Sequence, residues 1–204
     1  DKPMLPQKHV EYIVKTAFKN GLSVVAHIER VSDVLYGLDC GVREFSHFPV
    51  NDVFTDHDID RLISAEALFC STLTPLFVRA KYEDIFKNYY NNACNNMHLY
   101  YEAGGMITLG NDSGTGYCMY PDMYVEMMLA EKIMKNRKDV IRAVTINNAR
   151  ACRLSKCGII DVGMKADVVV YRQNPYENLK YLKTIKMVLC QGQKVYATKD
   201  NPLI

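Results

Sequence analysis

Apolar residues in the stretch KHVEYIVKTAFKN, residues 8–20, fall at Val10, Ile13, Val14, Ala17 and Phe18. That is the i, i+3, i+4, i+7, i+8 spacing of a helix with one apolar stripe, and Asn20-Gly21 supplies its stop. The period then changes. LSVVAH (22–27) is a short continuous apolar run that predicts a strand ending at His27, and a short helix through Val34, Leu35 and Leu38 stops at Gly41. VREFSH (42–47) predicts a second strand, ending at His47, and DIDRLISAEA (58–67) a helix with Ile59, Leu62 and Ile63 inward. LFCSTLTP (68–75) reads as a strand stopped by Pro75, followed by a long helix over roughly 80–103 that ends at Gly104-Gly105. MITLGND (106–112) is a further strand closed by Asp112, and two helices follow, near 121–136 and 138–154.

Strand and helix alternate, which is the mark of repeated βα units and a parallel sheet. The strands are continuous apolar runs, as expected when both sheet faces are covered. Four such units make half of an eight-stranded (β/α)8 barrel, which takes about 250 residues in full; an open doubly wound sheet is the competing architecture. After Leu154 the texture changes to short β-branched segments, VVVY and IKMVLC among them, with Gly and Asn-Pro turns. The expected division is therefore a βα unit over 1–154 and a small antiparallel β module over 155–204.

Composition adds little that points away from an ordinary globular chain. The formal charge of +2 over 204 residues gives no electrostatic footprint for nucleic acid or an anionic membrane. Seven scattered cysteines without a C-x-x-C pair suggest reduced thiols and a cytoplasmic protein, and Cys152 and Cys157 read as buried small hydrophobes. No apolar run reaches the roughly 20 residues of a membrane span. The chain opens at Asp1, without a methionine, in what reads as a loop entering a helix, so part of a longer protein is expected.

Three predicted strands end in a residue able to bind metal: His27, His47 and Asp112. In both parallel architectures, side chains beyond the carboxyl ends of the strands converge although they are distant in sequence. Two imidazoles and a carboxylate there suit a borderline ion such as Zn²⁺, which would compensate a carboxylate at a buried strand end. Read singly, a histidine at a strand end is more often a hydrogen-bonded structural residue than a ligand, and Asp112 serves equally well as a helix cap. His9, His57 and His98 fall on predicted helix surfaces or a helix start and read as solvated.

With these residues in place the chain resembles the amidohydrolase superfamily, specifically its imidazolonepropionase-like and prolidase-like metal-dependent hydrolases. AFKNGLSVVAH is similar to the family's helix leading to the fifth strand and its histidine, GLDCGVREFSH to the sixth strand, and AGGMITLGNDSG to the eighth. The ending AVTINNARACRL…GIIDVGMKADVVVYRQNPYENL is the longest and most specific match. The resemblance implies the C-terminal half of a (β/α)8 barrel followed by part of a small β-sandwich. It implies His27 and His47 as ligands of the more exposed metal, and Asp112 as ligand of the other metal and general base. A divalent ion, most simply Zn²⁺ and one or two of them in the complete protein, lowers the pKa of its water from about 15.7 to about 7. Asp112 would take that water's proton and deliver it to a leaving nitrogen.

The departures define what is missing. The family's first strand carries an H-x-H pair, and this sequence has none; Lys2 and Lys8 do not match its bridging lysine. Asn111 stands where threonine is common, and Phe48 where glycine is common. The expected function is hydrolysis of C–N bonds (amide, cyclic amide or dipeptide) in a complete protein of which this chain is an inactive fragment. A non-catalytic half-barrel serving as a structural or interaction module is the alternative, and a deaminase using Glu29 a weaker one. Arg79, Tyr117 and Tyr120 are the expected substrate contacts, in loops that also carry Thr74. The expected partners are a small-molecule substrate and a second copy of the chain, through barrel edges left open; no nucleic acid and no membrane are expected.

Overall fold

The computed structural model describes residues 4–115 and 123–198. By packing, the chain divides into two compact units, with the boundary between Leu129 and Ala130.

The first unit runs α1 (Gln7–Lys19), β1 (Val25–His27), α2 (Val31–Asp39), β2 (Glu44–Ser46), α3 (Asp56–Ser64), β3 (Leu68–Ser71), α4 (Leu73–Arg79), α5 (Asp84–Glu102) and β4 (Met106–Leu109), and takes in the start of α6 (Met123–Met134). Its strands form one parallel sheet in the order β1-β2-β3-β4, without the reversal that marks a doubly wound sheet. The register is level at the carboxyl ends: His27 stands opposite Ser46, and Ser46 opposite Cys70. Residues that follow these strands therefore leave from a common rim.

The strand interiors explain the continuous apolar runs. Phe45 of β2 and Phe69 of β3 are fully buried and stacked at 5.2 Å. Phe69 also stacks on Phe48 at 4.8 Å and meets the ring of Tyr100 edge-on at 4.9 Å. Burying one such ring stabilises by roughly 1.5–3 kcal/mol, so this aromatic group is the anchor of the unit. β1 forms an edge of the sheet, and its Val25 is exposed.

Local chemistry moved several boundaries. α3 starts at Asp56, two residues before the expected 58, because Thr55 and Asp58 form a reciprocal capping box. The expected strand over 68–75 ends at Ser71, and Pro75 lies inside α4. Proline is tolerated there because the first-turn N–H groups have no intrahelical acceptor. The helix expected over 80–103 begins only at Asp84, after α4. Asp112 does not end a strand: β4 stops at Leu109.

The second unit begins with the remainder of α6 and continues with α7 (Arg137–Val144) and α8 (Ile146–Ala151), which replace the single helix expected over 138–154. They are separated at Thr145, whose φ of −117° and ψ of −93° are not helical. β5 (Val168–Tyr171), a 3₁₀ turn at Leu179–Lys183, β6 (Ile185–Cys190) and β7 (Gln193–Ala197) complete it, the strands forming an antiparallel sheet in the order β5-β6-β7. The change of texture expected near 155 thus falls after α8, whereas packing groups α7 and α8 with the antiparallel strands. Gly158 has φ +90°, and a Cβ there would stand 2.8 Å from Cα of Ile146, so only glycine fits against α8. Cys152 is exposed and Cys157 half-buried; neither is the core residue expected, because both lie in the turn region after α8. Among the described residues no helix is long and apolar enough to cross a membrane.

Candidate functional site

The carboxyl ends of the strands surround a cavity of about 310 Å³. His27, Glu29, His47, Thr72, Arg79 and Asp112 contribute to its wall, so the three residues singled out as strand-end ligands do share one cavity. His27, last residue of β1, is exposed, with Nε2 3.8 Å from Oε1 of Glu29. His47 follows β2 directly. The two imidazoles meet edge to face, with centroids 4.8 Å apart and planes at 81°.

His47 adopts φ 73° and Asp112 φ 51°, in the left-handed region that non-glycine residues rarely visit. The other described non-glycine cases lie at helix ends (Glu66, Lys135, Arg153) and in the β6–β7 turn (Gln191). Such a backbone costs of order 1–3 kcal/mol and persists where the surroundings fix it. For His47 those surroundings are explicit: its N–H donates to the Cys70 carbonyl at 2.9 Å, and its Nδ1 is hydrogen-bonded to Oγ1 of Thr72. Burial holds the His47 pKa below the ordinary histidine value, and the neighbouring His27 acts in the same direction; Asp112 and Glu29 oppose them.

Asp112 is exposed, three residues beyond β4. The expectation of a carboxylate buried at a strand end does not hold, so its burial makes no demand for a compensating cation. The donor types suit a divalent ion, and the imidazole pair is close, but the carboxylate does not complete a cluster. Among the described residues no three His, Cys, Asp or Glu side chains are gathered closely enough to hold a metal.

Arg79 closes α4 instead of lying in a loop. Its Nε lies 3.2 Å from Oε1 of Glu83, and its guanidinium carbon 3.4 Å over the ring of Phe86; Arg79 and Phe86 both line the cavity. Tyr117 and Tyr120 lie outside the described residues. Thr74 is buried and bonded to Glu126, so it does not face the cavity. Phe48 belongs to the aromatic core, and Asn111 is buried, accepting from Ser113 Oγ at 2.6 Å; neither lines the cavity. His9 and His57 are exposed, and His98 lies half-buried on α5 near Glu102.

Sequence reasoning missed two groups that shape this wall. Thr72 is one; it lay inside the strand expected over 68–75, and only the end of β3 at Ser71 places it at the rim. The other is buried Asn96 of α5, whose Oδ1 accepts from Phe54 N at 2.8 Å while its Nδ2 donates to the carbonyls of Pro49 and Asp52 at 2.9 and 2.8 Å. An uncharged amide in a polar-faced helix gives no warning of that role. The loop it pins is in turn tied to the loop after β1: Val50 N donates to the Glu29 carbonyl, and Val31 N to Oδ1 of Asp52.

A family model described as "Amidohydrolase family" matches residues 2–196. Imidazolonepropionase of Streptococcus sanguinis strain SK36 is 27% identical over 175 residues, covering 83% of this chain and 38% of its own length. Among solved structures, a Xaa-Pro dipeptidase with bound methionine superposes with a TM-score of 0.83 at 20% identity, covering 97% of this chain and 50% of its own. The ochratoxinase of A. niger does so with a TM-score of 0.83 at 18% identity, covering 98% and 47%. The chain spans about half the length of these structures and less of the imidazolonepropionase. With a family model aligned to nearly its whole length and the strand-end histidines facing one cavity, the chain belongs to the amidohydrolase family.

Proposed function

We propose that these residues are the C-terminal half of a metal-dependent hydrolase of carbon–nitrogen bonds. In this reading β1 to β4 are one arc of a (β/α)8 barrel and β5 to β7 part of a small β-sandwich. The sequential strand order supports the arc, and the half-length coverage of the relatives supports a longer complete protein. The observation that carries the reading is the pairing of His27 and His47, 4.8 Å apart at one cavity from the ends of neighbouring strands.

His27 and His47 would hold a divalent ion, most simply Zn²⁺, with Asp112 on the same wall and further donors from residues beyond these 204. When bound, such an ion supplies Lewis acidity and a water ionised near neutral pH. Asp112 is the proton carrier in this scheme, exposed enough to exchange protons between water and a leaving nitrogen. Arg79 orients an anionic substrate group through its planar fork, in competition with Glu83. The relatives' names, imidazolonepropionase and Xaa-Pro dipeptidase, nominate a cyclic amide and a dipeptide as the compounds to try first.

A non-catalytic half-barrel is the second reading, favoured by the absence of a three-donor cluster among the described residues. The two separate experimentally. Metal analysis of the full-length protein, then a panel of cyclic amides and Xaa-Pro dipeptides, should find bound zinc and turnover that His27→Ala and His47→Ala abolish. A full-length protein with neither metal nor turnover sinks the hydrolase reading. The 204-residue chain alone should be inactive with added zinc.

A further inference from the structure

We infer that Glu126 is a positioning residue for His47, acting through the turn that begins α4. The inference deepens the hydrolase reading and rests on it for the role of His47.

Thr72 occupies the N-cap of α4, where a threonine hydroxyl ordinarily accepts a hydrogen bond from an unpaired N–H of the first turn. It makes no such bond, because its Oγ1 is engaged by Nδ1 of His47. The amide it would have served, Thr74 N, donates instead to Oε2 of a distant carboxylate, Glu126, at 2.8 Å, and the preceding Leu73 N donates to Oε1 at 2.9 Å. The hydroxyls of Ser71 and Thr74 add one bond of 2.7 Å to each oxygen. Glu126 is completely buried, and burial holds its pKa above the ordinary carboxylate value, the four bonds offsetting only part of that rise. A buried carboxylate so fully matched is a fixed anchor.

The anchor and His47 grip the same short strip of chain. Cys70 accepts the His47 N–H and Thr72 holds its Nδ1, while Glu126 binds Ser71, Leu73 and Thr74 in between and just beyond. Because Glu126 caps α4, the Thr72 hydroxyl is released to the histidine. We take Nδ1–H as the donor and Thr72 Oγ1 as the acceptor, a direction the contact itself leaves open; Nε2 then keeps its lone pair, the form needed to bind an ion or accept a proton. Without Glu126 the orphaned Thr74 amide competes for Thr72 Oγ1, and His47 loses the bond that favours this tautomer.

The test is the tautomeric state of His47, read from ring ¹⁵N shifts of the intact, metal-free protein above the pH at which His47 titrates. The wild type should show one tautomer with Nδ1 protonated. Glu126→Gln and Thr72→Val should both give a mixture, Thr72→Ser should restore the single form, and the His27 signals should change less. A wild-type mixture, or an unchanged His47 in folded Glu126→Gln, overturns the inference. Should Glu126→Gln not fold, Thr74→Val removes one of the four bonds and keeps the amide; an unchanged tautomer there overturns it equally. Metal analysis and turnover of the full-length protein answer the other question separately, since the absence of both sinks the hydrolase reading and leaves the tautomer result standing.

Discussion

His27 and His47, twenty residues apart in sequence, present their rings edge to face at 4.8 Å because their strands are adjacent and level. The pair sets a pH dependence. Burial first, and the nearby His27 second, hold the His47 pKa below the ordinary histidine value. The unfolded chain takes up this proton near pH 6.5, about the unperturbed value, and the folded chain only at lower pH. Between the two the unfolded state binds more protons, so stability falls as pH drops through about 6.5 and levels off below the folded pKa. Thermal unfolding followed against pH should show that fall in the wild type and a weaker one in His47→Gln. Equal slopes would mean that His47 titrates normally.

Asn96→Ala should be among the costlier polar substitutions. It leaves the Phe54 N–H and the carbonyls of Pro49 and Asp52 without the partner they have in the buried side chain. An unsatisfied buried group costs about 1–3 kcal/mol, so a loss of about 2–4 kcal/mol is expected from urea unfolding. Amide exchange should accelerate over residues 48–55 more than in α1. A loss under about 0.5 kcal/mol would show that water replaces the amide.

The ring of Tyr100 occupies the space a side chain at Gly105 would need: a Cβ there would lie 2.3 Å from Cε1. Tyr100 is held by its own bond to the Ala67 carbonyl and by Phe69, so it has little freedom to withdraw. Gly105→Ala should therefore destabilise by about 1–3 kcal/mol, as overpacking does. Gly104→Ala is the comparison, since nothing crowds that position; its cost comes from φ +85° alone.

Much of the first unit was legible because buried parallel strands and one-striped helices leave strong periodic signals, as at residues 8–20 and 68–71. The pairing of His27 with His47 was legible too, since both were read as ending strands and such ends share a rim. What escaped was set by interactions between distant residues. Nothing in the local pattern distinguishes Pro75 as a strand stop from Pro75 in a first helical turn; the α4 cap that decides it comes from Glu126. The exposure of Asp112 depends on where β4 stops, three residues earlier than the apolar run suggested. Glu126 itself, a carboxylate amid YVEMMLA, is the kind of break in an apolar face that could have been flagged.

Exposed apolar side chains accumulate on α1 and at β1: Tyr12 at 70%, Phe18 at 82% and Val25 at 54% of full exposure. An uncovered parallel edge beside such a face invites pairing with another chain. The 204-residue chain should self-associate with rising concentration in analytical ultracentrifugation, and Phe18→Asp with Val25→Lys should shift it toward monomer. A wild type that stays monomeric at high concentration would refute this.

The ties between the loop after β1 and the loop after β2, through Glu29, Val31, Val50 and Asp52, have a consequence for how this wall can be altered. Grafting either segment alone from a relative would strand the backbone groups of the other. A change of specificity that works through this side of the pocket has to exchange the two as a matched set, by recombination or by design.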